Sequence, residues 1–170
     1  MKKLKKILAL VLATLTVLSL AACSSSGKGG EDLPTYKVLT NATFPPFDTI
    51  DEATGDVIGF DMDLIAAIGE DQGFKVEFVD MAFEALIPAI EAGNGDIIAA
   101  GMWSGDPERA AKVDFSNTYY TDGAALLVKS DNDTITGLDS LTSSQKVATQ
   151  IATNYADDLN ALVEEGKLGQ

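Results

Sequence analysis

Among its 170 residues the chain has no histidine, one cysteine, one tryptophan and one arginine. Without histidine there is no Ser-His-Asp or Cys-His catalysis and no usual zinc site. With Cys23 as the sole thiol, no internal disulfide can form. No phosphate-binding loop and no G-x-G-x-x-G turn occurs, and nothing in the sequence calls for a cofactor. Positive charge is scarce: 12 basic residues face 26 acidic ones. An acidic chain of this kind is not expected to bind nucleic acid or to dock electrostatically on anionic lipid.

Much of the positive charge sits at the start. MKKLKK, residues 1–6, is basic, and Ile7–Leu20 is an uncharged apolar run, the length of a secretory signal and short for a membrane span. It ends in Leu20-Ala21-Ala22-Cys23, followed by SSSGKGG. A cysteine at the first mature position has a use as a lipid attachment site, so residues 1–22 read as a lipoprotein signal peptide and Cys23 as the lipidated residue. Two acyl chains on one cysteine anchor stably, at about 0.8 kcal/mol per buried methylene. Processing leaves 8 basic residues against 26 acidic, a net charge of −18. Residues 23–34, rich in Gly and Ser, read as a flexible tether.

From residue 35 on, strand-like and helix-like patterns alternate. Tyr36–Thr40 and Lys75–Val79 read as strands, Asp96–Ala100 as a buried strand, and Ala124–Lys129 and Lys146–Gln150 as two more. Asp51–Gly59 reads as a hairpin. Asp61–Glu70 reads as a helix with Leu64, Ile65 and Ile68 on its apolar face and Gly73 as its stop. Phe83–Ile90 forms a second helix that starts late or bends because of Pro88. Asp106-Pro107-Glu108 supplies an N-cap, a proline at the first helical position and an acid in the first turn. Tyr155–Glu165 is an amphipathic helix. This alternation predicts an α/β fold with a parallel or mixed sheet covered by helices. The polar run Ser130–Ser140 separates residues 35–129, a first lobe, from residues 130–170, which begin a second lobe and do not complete it; the chain reads as the N-terminal part of a longer protein.

The lone arginine lies at a helix start. Arg109 adds a planar, permanently charged fork to the anion-attracting end of a helix, which suits a carboxylate. Upstream, GMWSG follows a strand, placing the Ser104 hydroxyl and backbone N–H groups at the sheet edge where α/β folds bind ligands. The alternative is a surface ion pair of Arg109 with Glu108 or Asp114. Asp61 and Asp63 resemble paired catalytic carboxylates but read better as one helix cap and one solvated acid.

Six stretches in order are similar to the bacterial extracellular solute-binding proteins of family 3: TNATFPPFD, GFDMDLIAAIG, FEALIPAIEAGNGDIIAAGM, PERAAKVDFSNTYY, LDSL and KVATQIATN. The resemblance implies a periplasmic-binding-protein type II fold, two lobes that close on an amino acid, and delivery to an ABC permease, with the membrane reached through the Cys23 lipid. It implies that Arg109 holds the ligand carboxylate, assisted by Gly101, Met102 and Ser104, and by Ala152, Thr153 and Asn154 at a later helix start. It places Phe44 and Phe83 beside the ligand side chain, and Asn41 and Asp48 where polar groups choose between side chains. Phe44 and Phe83 are also ordinary core residues by type. Two departures stand out. GMWSGD has one residue more than the family pattern, with Trp103 in it, and Ala-Thr-Asn at 152–154 replaces Gly-Thr-Thr. With Asp48 as the sole acid at these positions, the expected ligand is polar or neutral. Two rivals share the fold: an enzyme of the dehydratase or lytic transglycosylase kind, and the ligand-sensing module of a receptor.

Overall fold

The computed structural model describes residues 33–169. The expected lipidation site, Cys23, and the signal and tether around it lie outside the described residues. From Pro34 onward the chain forms one compact unit.

β1 (Thr35–Thr40) is the centre of a parallel sheet, with β5 (Lys75–Asp80) on one side and β6 (Ile97–Ile98) on the other. Its register with β5 runs the full strand, from Thr35↔Lys75 to Thr40↔Asp80. Val38, Leu39 and Thr40 are wholly buried, as befits a strand covered on both faces. β6 is shorter and less buried than the sequence predicts. It pairs only Val38↔Ile97 and Leu39↔Ile98, and its outer edge meets no other strand among the described residues.

Between β1 and β5 runs a small antiparallel sheet of β2 (Thr43–Phe44), β3 (Asp48–Ile50) and β4 (Val57–Ile58). The β3–β4 hairpin matches the expected turn region. The Pro45–Pro46 peptide, which is cis, lies between β2 and β3. Helix α1 (Phe60–Gln72) follows and ends at Gly73, whose N–H returns to Gly69 O. The face it buries differs from the predicted one. Met62 and Gly69 are covered, whereas Leu64 and Ile65 are only half-buried and Ile68 is exposed. Leu64, Ile65 and Ile68 line a cavity wall instead.

A 3-10 turn at Phe83–Ala85 leads into α2 (Leu86–Glu91), so Pro88 falls in the first turn, the late start that the sequence predicts. The core lies under β1: Leu39, Leu86 and Ala100, with Val79, Phe83, Ile90, Ile98 and Met102 against them. Helix α3 (Pro107–Ala110) is a single turn capped by Asp106. From Ala111 to Gly137 no helix or strand forms. The strands expected at Ala124–Lys129 and Lys146–Gln150 are absent, because neither finds a ladder partner among the described residues. α4 (Asn154–Glu164) is capped by Thr153, as the pattern predicts within one residue. Among the described residues no helix is long and apolar enough to cross a membrane.

Candidate functional site

The C-terminal ends of β1 and β6 open into the loops 41–44 and 99–105. Both loops line one broad cavity of about 1040 Å³. Phe83, Arg109, Thr153 and Asn154 reach the same cavity, and so do Gly101, Met102 and Ser104. Of the residues proposed from sequence, the fold therefore brings together all but two.

Arg109 is the buried cation of this cavity, 8% exposed. Its Nε is paired with Asp106 Oδ2 at 3.0 Å, and Nη2 donates to Ala152 O at 2.8 Å. The guanidinium carbon lies 5.8 Å from the centre of the Phe83 ring. The ion pair is thus with the N-cap acid, not with Glu108 or Asp114. Asp106 serves two ends at once, accepting from the Glu108 and Arg109 amides while fixing the side chain. Nη1 meets no protein acceptor among the described residues, which leaves one edge of the fork for a ligand oxygen.

Thr153 caps α4: its hydroxyl accepts from Ala156 N and donates to Gln150 O. That occupies the side chain, but the first amides of the eleven-residue helix, at Asn154 and Tyr155, have no intrahelical acceptor. They and Arg109 give the cavity a positive rim suited to an anion. Ala152, just before them, holds a left-handed backbone with φ 58°. This is costly for a residue with a Cβ, and it is the geometry that turns the Ala152 carbonyl to Arg109.

Asn41 lines the cavity with its side chain already engaged, donating to Met81 O and accepting from Thr43 Oγ1 and Gln150 Nε2. Phe44 is half open and stacks on Phe47 at 5.2 Å. Phe83 serves both core and cavity.

Asp48 and Ala152 are the two proposed residues that do not line this cavity. Ala152 reaches it through its bond to Arg109. Asp48 does not: it is 1% exposed, accepting from Thr40 Oγ1 at 3.0 Å and Phe44 N at 3.2 Å. Burial pushes its carboxyl up to about 6, the Thr40 hydrogen bond opposes this, and Asp61 adds to it. Asp48 belongs to the hairpin rather than the cavity lining. The acids that line the cavity are Asp61, Asp96, Asp114, Asp122 and Asp158.

Asp61 corrects the sequence reading most. It caps no helix; the N-cap of α1 is Gly59. Instead, 2% exposed, it accepts from Gly101 N at 2.7 Å and Tyr119 Oη at 2.8 Å on one oxygen. Its other oxygen meets no donor among the described residues. Burial, and next the bond to Asp61, hold the Tyr119 phenol well above its ordinary value. Asp61 thereby ties helix α1 to the 99–105 loop at Gly101, whose φ of 54° suits glycine. Asp63 is exposed, as expected. Gln150 also escaped the sequence reading, as did the pairing of the N-cap Asp106 with Arg109. A polar residue three positions before a Thr cap was the available signal for Gln150. Among the described residues no group of three His, Cys, Asp or Glu is placed to hold a metal.

Residues 36–170 match the bacterial extracellular solute-binding proteins, family 3. The chain belongs to that family. It is 35% identical over 130 residues to the arginine-binding extracellular protein ArtP of Bacillus subtilis, covering 76% of this chain and 50% of ArtP. It is 32% identical over 162 residues to a probable histidine-binding protein of Neisseria gonorrhoeae, covering 92% of this chain and 58% of that one. Among solved structures, an ancestral arginine-binding protein bound to arginine superposes with TM-score 0.74 at 39% identity, over 79% of this chain and 58% of that one. The ancestral amino acid-binding protein AncCDT-1, a precursor of cyclohexadienyl dehydratase, gives 0.72 at 39% identity, over 79% of this chain and 59% of that one. The family-3 chain described here thus spans about half to three-fifths of the length of these relatives.

Proposed function

We propose that this chain is part of a lipid-anchored, extracytoplasmic amino-acid-binding protein that delivers its ligand to an ABC permease. Residues 35–129 belong to one lobe and residues 130–170 to a second, and the ligand binds between them. The observation that carries the reading is Arg109: a buried guanidinium with an open edge, beside the uncapped amides of a helix start. That arrangement suits the carboxylate of an α-amino acid. The arginine- and histidine-binding relatives support it, as does the lipoprotein sequence ending at Cys23. The dehydratase-precursor neighbour gives an enzyme on this fold as the second reading.

Calorimetric titration of the intact protein with L-arginine, L-histidine and L-glutamine tests it. Removing one partner of a buried ion pair costs roughly 3–5 kcal/mol. Arg109→Ala is therefore expected to weaken binding by about two to three orders of magnitude. Arg109→Lys keeps the charge without the fork and is expected to fall between. Equal dissociation constants for wild type and Arg109→Ala would show that the carboxylate lies elsewhere. Dehydration of a cyclohexadienyl substrate would favour the enzyme.

A further inference from the structure

The 99–105 loop holds two glycines, and each lies against an aromatic ring. A Cβ on Gly101 would sit 3.2 Å from Phe44 Cε1, and one on Gly105 would sit 2.3 Å from Trp103 Cζ2 and 2.5 Å from its Cε2. Trp103 is thus folded back on its own loop, its ring lying where a Cβ at 105 would fall. The fold makes little use of the ring. Met102 packs on the Leu39–Leu86 core, but Trp103 has no part in that cluster and remains 54% exposed. It makes no ring pair among the described residues, unlike Phe44, Phe47, Phe60, Tyr119 and Tyr120. What it does line is the cavity that holds Arg109. An aromatic of this size gains most when something covers it.

We infer that Trp103 is a specificity-determining residue: its indole face covers the ligand side chain and favours a planar cation, guanidinium or imidazolium, over a neutral group. This rests on the amino-acid reading above. Arg109 and Trp103 line the same cavity, so a ligand held there by its carboxylate has its side chain in the space that Trp103 borders. Indole is the best of the aromatic faces for a cation. The charged side chains lining the cavity are five aspartates against Arg109 and Lys112, and Arg109 is matched by Asp106. The remaining field therefore favours positive charge on the ligand. This departs from the polar or neutral ligand expected from sequence, which relied on Asp48 as the sole acid.

The test is a Kd panel of L-arginine, L-histidine, L-glutamine and L-alanine on the intact wild type, Trp103→Ala, Trp103→Phe and Arg109→Ala. Wild type is expected to bind arginine or histidine most tightly. Trp103→Ala is expected to weaken that ligand by about tenfold while moving glutamine and alanine by less than about twofold. Trp103→Phe is expected to recover most of the loss. Tryptophan emission, taken as wild type minus Trp103→Phe, is expected to shift on saturation with the cationic ligand. Loss of affinity by the same factor for every ligand would overturn the inference, as would an unchanged selectivity ratio, tighter binding of glutamine or alanine by wild type, or a silent difference spectrum. If Arg109→Ala abolishes binding in any of those cases, the amino-acid reading survives and only the role of Trp103 falls. If no amino acid binds wild type, both fall.

Discussion

Two segments of this chain carry similar strand-forming sequence and meet different fates. Tyr36–Thr40 lies in β1 between two neighbours, with its last three residues almost free of solvent. Ala124–Lys129 (AALLVK) is at least as apolar, yet it pairs with nothing among the described residues and leaves Leu127 fully exposed. The difference lies in the surroundings. Strand propensity mostly measures the fit of a side chain to a half-buried, partnered surface. A segment without that surface has the pattern of a strand but not the hydrogen bonds.

A pair of truncations would break or confirm this contrast. Leu39→Ala removes a side chain buried against Leu86 and Ala100, and is expected to destabilise by about 2–5 kcal/mol. Leu127→Ala is expected to change stability by less than about 0.5 kcal/mol. Chemical denaturation of the 170-residue chain measures both. Comparable losses at the two sites would mean that Ala124–Lys129 is covered after all.

The second prediction concerns charge inside the well-partnered region. Asp48 is raised from 3.8 to about 6, chiefly by burial. Between those values the folded protein binds its proton more tightly than the unfolded chain does. Asp48 therefore makes stability fall as pH rises through that window, and its burial cost is fully present above about 6. Asp48→Asn keeps hydrogen-bonding groups for Thr40 and Phe44 without the charge. It is expected to be more stable than wild type at pH 7, by on the order of 1–2 kcal/mol, and equal to it near pH 4. Thermal melts of both proteins from pH 4 to 7 measure the difference, and a difference independent of pH would show that folding does not raise the Asp48 carboxyl.

A small effect, opposite in sign to that of Leu39→Ala, is expected at Ala152. Ala152 spends backbone energy to hold φ 58°. Ala152→Gly removes the Cβ conflict but loosens the unfolded chain, and a net gain of about 0.5 kcal/mol is expected in the same denaturation assay. A loss of stability would mean that the Ala152 methyl group is needed for packing.

The elements were legible where periodicity coincided with capping chemistry, α1 with Gly73 and α3 with Asp106-Pro107, and α4 was legible from its amphipathic period alone. The parallel pairing around β1 followed from the alternation of strands and helices. Partnership was not legible. The sequence could not tell that Ile68 would stay exposed, that β6 would pair over only two residues, or that Ala124–Lys129 would find no neighbour. The same limit applies in the site. Arg109 stood out as the lone arginine, and the family resemblance supplied most of the cavity. Asp61 was misjudged because an acid at a helix start has a local use, and only the folded chain brings Gly101 and Tyr119 to it from 40 and 58 residues away. Asp48 was misplaced for a related reason: position in a motif does not say which way a side chain turns.

The clamp on Arg109 has a thermodynamic consequence. An arginine side chain gives up as much as about 1.5–2 kcal/mol of rotational freedom when it is ordered. Asp106 and the Ala152 carbonyl hold this one from within the chain. That entropy is lost during folding rather than during association, so a ligand meeting the open edge of the fork gives up mainly its own freedom of motion. A side chain at 109 that Asp106 and Ala152 did not pin would transfer the ordering cost to the binding step, where it would appear as a less favourable binding entropy even with the contact enthalpy unchanged.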